Sequence, residues 1–111
     1  RYRKNLAGIS GIKLPGSAQD STHIYHLFVI QVPDRRDEIL QVLAAREIYC
    51  GIHYPIPLHL QQAYAYLGYR QGDFPVAEAA AQRILSLPMF PEITDQQIDR
   101  VCEELLKAIR V

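Results

Sequence analysis

The sequence predicts an α+β domain in which helices cover a small sheet. Three observations carry this. The run His23–Val32 is dense in β-branched and aromatic residues. Two later stretches place apolar residues at spacings of three and four, as amphipathic helices do. Prolines and glycines separate these runs, so strands and helices alternate.

Residues 1–22 read as an extended lead-in to a single domain spanning 1–111. Leu6, Ile9, Ile12 and Leu14 are apolar, but Gly8, Gly11, Pro15 and Gly16 interrupt any helix. His23–Val32 follows as the main strand. Ile24, His26, Phe28, Ile30 and Val32 share one face, and Tyr25, Leu27 and Val29 the other. Both faces are largely apolar, which fits a strand covered on both sides. Pro33 ends it.

Asp34 is placed to cap a helix from about Arg35 to Arg46, with Ile39, Leu40, Val42 and Leu43 as its stripe. Ile48–Tyr54 reads as a second strand, stopped by Pro55-Ile56-Pro57. A short helix fits Leu58–Leu67 and stops at Gly68. Another fits Pro75–Leu85, with Pro near its start, where a missing N–H costs little. Ser86–Phe90 is a short extended piece. The last helix opens on a capping box, Thr94 to Gln97, and carries Ile98, Val101, Cys102, Leu105, Leu106 and Ile109 on one face.

Composition narrows the function. Hydrophobic residues make up 49% and charged residues 22%, with a formal net charge of +0. That argues against disorder and against a nucleic-acid partner, which would need a basic field. No apolar run approaches the roughly 18 residues of a membrane span. Cys50 and Cys102 lie far apart, outside any C-x-x-C pattern, as expected of reduced thiols in a cytoplasmic protein. The polar start lacks a signal peptide's apolar core, and the opening Arg1 in place of Met points to a fragment.

Ring-bearing polar groups concentrate at Gly51–His59. His53 and Tyr54 stand where a strand meets a proline-stiffened loop, so their side chains can be aimed at little ordering cost. Imidazole and phenol both hydrogen-bond hydroxyl-rich or phosphate-bearing ligands. The alternative is a structural loop whose rings bond only to backbone. His59 reads as a partly buried, hydrogen-bonded residue, with no carboxylate ligands nearby for a metal. His23 and His26, three apart on a strand, point to opposite faces. Tyr64, Tyr66, Tyr69 and Phe74 form either a docking surface or a satellite core around Gly68. Gly-rich phosphate loops and nucleophile elbows are missing, and Lys4, Lys13 and Lys107 sit near the ends.

Three motifs then fall in a familiar order: H-Y-P-x-P-x-H-L-Q at His53–Gln61, F-P-x-A-E at Phe74–Glu78, and L-S-L-P-M-F-P at Leu85–Pro91. With the strand at His23–Val32 and the Arg36-Asp37 helix start, they make the chain resemble the C-terminal part of the DegT/DnrJ/EryC1/StrS aminotransferases over nearly its whole length. It departs from the family at Glu47, where Gly is frequent, at Cys50, near a frequent Thr, and at Gln62, where Pro is frequent.

The resemblance implies the small domain of a fold type I transferase dependent on pyridoxal phosphate. A large domain upstream of Arg1 would hold the cofactor and its Schiff-base lysine. It implies two half-reactions, moving an amino group from a donor, commonly glutamate, to a nucleotide-linked keto sugar, usually in a homodimer. On that reading His53 and Tyr54 are the substrate-binding residues, and no catalytic, cofactor-binding or metal-ligating residue lies in this segment, which would be inactive alone. A non-catalytic interaction or sensor domain derived from the same family is the other reading.

Overall fold

The structure is a computed structural model and describes residues 1–110. Its elements run α1 (Tyr2–Leu6), β1 (Phe28–Gln31), α2 (Arg36–Ala44), α3 (Pro75–Arg83), β2 (Ile84–Leu87) and α4 (Asp95–Arg110). Two 3₁₀ segments, Leu58–Leu60 and Gln62–Leu67, lie between α2 and α3. The architecture is the expected α+β one.

β1 and β2 pair antiparallel, with Phe28 opposite Leu87 and Ile30 opposite Leu85. Single bridges widen this ribbon: Lys13 pairs with Gln31 on one side, and Gly51 with Ser86 on the other. Alternation then divides the sheet into two faces. Phe28, Ile30, Leu85 and Leu87 are buried on the first face. Val29, Gln31, Ile84 and Ser86 lie on the second.

The first face is the core. α1 and α2 both pack on α4, whose Val101, Cys102, Leu105 and Ala108 are buried. Leu6, Ile30, Ile39, Leu43, Leu85 and Leu105 are almost fully enclosed. Burying one such side chain contributes about 1.5–3 kcal/mol. Thr94 caps α4 as its sequence demands. Thr94 Oγ1 accepts from Gln97 N at 3.2 Å, and Thr94 N donates to Gln97 Oε1 at 2.8 Å.

Several expectations need correction. The lead-in is not extended at its start, because Tyr2 and Leu6, four residues apart, place both side chains on one helical face and bury there. Tyr2 Oη donates to Pro88 O at 2.7 Å, and Arg1 grips Asp95 and Asp99 of α4 at 2.8 and 2.6 Å. Ala7, extended at ψ 135°, ends the helix, and Gly8 then turns the chain at φ +73°.

β1 starts at Phe28, not His23. The Tyr25 N–H is taken by His23 Nδ1 at 2.9 Å, the two rings stack at 4.2 Å, and Tyr25 sits at φ +52°. This local bond competes with the ladder and leaves Ile24 exposed. The second face of β1 is only half-buried, so the strand is not covered on both sides.

Asp34 does not cap α2. Arg35, the residue before the helix, is left-handed at φ 71°, and Asp34 instead accepts from Arg83 at 3.1 Å. The stretch Ile48–Tyr54 forms one bridge rather than a strand. Its rings leave the sheet edge after Gly51, as described below. The helix expected over Leu58–Leu67 is two 3₁₀ turns, stopped as foreseen by Gly68 at φ 76°. α3 ends at Arg83, two residues early, because Ile84 turns extended to pair with Gln31.

Glu47 shows why the family favours glycine there. The bonds Ile48 N to Leu43 O and Glu47 N to Ala44 O, at 3.0 and 2.9 Å, close the end of α2 in a Schellman pattern. Glu47 must then adopt φ +60°, a conformation that penalises any side chain.

Candidate functional site

The site is built on the second face of the sheet. Gly51 brings the chain alongside β2, with backbone bonds to Ser86 of 3.0 and 2.8 Å. His53 folds back so that its Nδ1 shares a 2.8 Å hydrogen bond with Ser86 Oγ. Its ring lies over Gly51 so closely that a Cβ there would come within 2.7 Å of His53 Cε1. Gly51 is therefore needed for close approach, not for an unusual φ.

Tyr54 projects outward and is 70% exposed. Its ring meets that of His53 edge-on at 5.4 Å, across a cis peptide bond. Among the described residues its hydroxyl has no partner. Both rings thus lie at the surface, side by side, with His53 anchored and Tyr54 free.

Beneath Tyr54 runs an open groove of about 500 Å³. One wall is the proline-stiffened run through Ile56, Leu58 and His59, and the other is α3 with Phe74, Ala77 and Ala81. Ile84 contributes from the sheet's second face. A neighbouring hollow of about 350 Å³ lies between His59, Phe74, Tyr64 and Tyr69. The aromatic group expected around Gly68 is thus partly packed, with Tyr69 edge-on to Phe74 at 5.1 Å, and partly open, with Tyr66 80% exposed.

His59 is hydrogen-bonded, as its sequence setting predicts, but its partner corrects the expectation that no carboxylate is close. Glu78 Oε1 lies 2.8 Å from His59 Nε2, and that histidine side chain is 7% exposed. Glu78 also accepts from Gly72 N at 2.9 Å and Phe74 N at 3.3 Å. The Gly72 bond, followed by those from His59 and Phe74, holds its carboxyl below the usual carboxylate range. The motif F-P-x-A-E contained this residue, but a contact 19 positions away leaves no local spacing signal.

Arg36 was likewise legible only as part of a motif. Its buried guanidinium donates to Ala81 O at 3.0 Å and Ile84 O at 3.1 Å, at the end of α3. A cation suits the partial negative charge of a helix C-terminus. Arg36 thereby ties the groove's far wall to α2.

Among the described residues, no group of three or more His, Cys, Asp and Glu side chains gathers as for a metal ion. Both cysteines are free, and burial pushes the Cys50 thiol up to about 11. Among the described residues, no helix is long and apolar enough to cross a membrane. The groove does not suit covalent attachment of pyridoxal phosphate, because no lysine lines it. Lys107 instead bonds Glu104 at 2.8 Å on α4.

The same α+β arrangement recurs as a domain of fold type I aminotransferases. The crystal structure of DesV from Streptomyces venezuelae superposes with a TM-score of 0.90 at 41% identity, over 99% of this chain and 30% of that one. The putative sugar aminotransferase Spr1654 from Streptococcus pneumoniae, in its PMP form, gives 0.87 at 27% identity, over 98% of this chain and 28% of that one.

The chain belongs to the DegT/DnrJ/EryC1/StrS aminotransferase family, which it matches over residues 1–106. Among curated relatives, it is 42% identical over 102 residues to the dTDP-3-amino-3,4,6-trideoxy-alpha-D-glucose transaminase of S. venezuelae, covering 92% of this chain and 27% of the relative. It is 41% identical over 96 residues to a pleiotropic regulatory protein of Geobacillus stearothermophilus, covering 86% and 26%. The chain therefore spans about a quarter to a third of the length of the relatives it matches.

Proposed function

We propose that this chain is the small, C-terminal domain of a sugar aminotransferase dependent on pyridoxal phosphate, and that His53 and Tyr54 contact its nucleotide-linked keto sugar. The observation that carries this reading is the exposed Tyr54 ring and its unpartnered hydroxyl beside a half-formed groove. A surface so arranged needs polypeptide or ligand to complete it. Relatives named as sugar transaminases support the substrate class.

In this reading the cofactor, its lysine and the amino donor site lie in a larger domain of the parent protein, and glutamate is the donor. Bound there, the cofactor supplies the electron sink that lets an amino group move in two half-reactions. The residues of this chain do something narrower. Tyr54 offers a phenol to sugar hydroxyls or phosphate. His53, fixed by Ser86, offers a second polar edge beside it. The apolar groove wall excludes water from that side. The parent works in the cytoplasm as a homodimer, and the 111-residue segment alone does not transaminate.

Adding glutamate to the full-length protein with its cofactor tests this. Loss of the visible absorbance of the lysine-bound cofactor is expected, and a keto sugar should restore it. A second reading rests on the similarity to a protein named as regulatory. A full-length protein that binds partners but leaves that absorbance unchanged would favour it.

A further inference from the structure

The groove beneath Tyr54 is only as definite as the spacing of its two walls. The near wall is poorly held by packing. Apart from the enclosed His59 side chain, Leu58–Leu60 and Gln62–Leu67 stay at least partly exposed, and 3₁₀ turns are weakly bonded internally. Among the described residues, one hydrogen bond joins segment 54–67 to segment 74–84, and it is His59 Nε2–H donating to Glu78 Oε1 at 2.8 Å. The ionised carboxylate can only accept, so Nε2 carries the proton.

Glu78 is fixed from the other side as well. The N–H groups of Gly72 and Phe74 donate to it, locking the turn before α3. The Phe74 ring packs against His59 at 4.8 Å, so the same pair sets the partition between the two hollows. One carboxylate thus gathers the near wall, the turn and α3.

We propose that His59 and Glu78 are positioning residues whose bond sets the distance between the groove's walls and thereby how firmly the sugar substrate is held against Tyr54. This rests on the reading that the groove faces that substrate. Neither side chain touches reacting atoms.

The test uses the full-length enzyme carrying His59→Phe, which keeps a ring but loses the donor, and His59→Gln, whose amide N–H extends toward Glu78. The Phe variant should raise KM for the keto sugar about tenfold, as loss of a bond to a charged group implies. Its first half-reaction with the amino donor should run at the wild-type rate. Amide exchange at Leu60, Gln61, Tyr64 and Gly68, all backbone-bonded in the near wall, should quicken about tenfold. The Gln variant should return both readouts to within about threefold of wild type. Wild-type exchange and KM in the Phe variant, or equal losses in both variants, would overturn the proposal. A wild-type enzyme that transfers no amino group would sink the substrate reading alone, and exchange would then decide whether the pair holds the wall.

Discussion

The two faces of the sheet are made by different means. The first is closed by apolar burial, with Ile30, Leu85, Leu43 and Leu105 at or near zero exposure. The second is shaped by a few polar bonds, chiefly Ser86 to His53, Glu78 to His59 and Arg36 to the end of α3. Around it Tyr54, Leu58, Tyr66 and Val76 remain mostly exposed. An open groove lined mostly by apolar side chains suits a ligand or partner. The contrast teaches that this chain's own residues close one side of the sheet and leave the other open.

Mutations should separate the faces. The largest effect is expected from Leu105→Ala in the closed core, which should lower unfolding free energy by about 2–5 kcal/mol in chemical denaturation. Arg36→Met comes next. It strips donors from two carbonyls and should cost about 1.5–3 kcal/mol, while the core around Leu105 stays intact.

Lowering pH probes both faces at once. Asp99, bonded first by Arg1 and then by Asn5, is held below the usual carboxylate range, as Glu78 is on the other face. A depressed folded-state pKa means the stabilisation is fully present above the unfolded value of about 4. It is lost as pH falls through the folded values. Denaturation midpoints should therefore fall as pH drops below about 4, and the fall should be shallower in Asp99→Asn and in Glu78→Gln. A slope unchanged in Glu78→Gln would mean the groove side contributes nothing to acid stability.

Smaller still is the gain from Glu47→Gly, which relieves the left-handed residue after α2 and should raise stability by about 0.5–1 kcal/mol. Tyr54→Ala should shift stability by less than about 0.5 kcal/mol, because its mostly exposed ring packs only edge-on against the exposed His53 ring. The isolated segment should self-associate through its open face, and a monodisperse monomer in light scattering would contradict that.

What was legible in the sequence follows the same division. The stripe of α4 and its Thr94–Gln97 cap were readable because both obey local spacing. So was the alternation that buries Phe28, Ile30 and Val32. The helix at Tyr2–Leu6 was not, since five residues carry little periodicity and their burial depends on distant α4. The strand was overdrawn because a bond from Tyr25 N to His23 is invisible to a hydrophobic pattern. At the site, His53 and Tyr54 stood out by type and by their prolines. Ser86 and Glu78, 33 and 19 positions from their histidines, did not.

Steady-state kinetics of the full-length protein carrying Tyr54→Ala test the proposed substrate contact most directly. If the open face meets the sugar, KM for the keto sugar should rise about tenfold or more while the first half-reaction and the melting temperature hold. A variant with unchanged KM would show that Tyr54 faces no substrate, and the open side would have to serve some other partner.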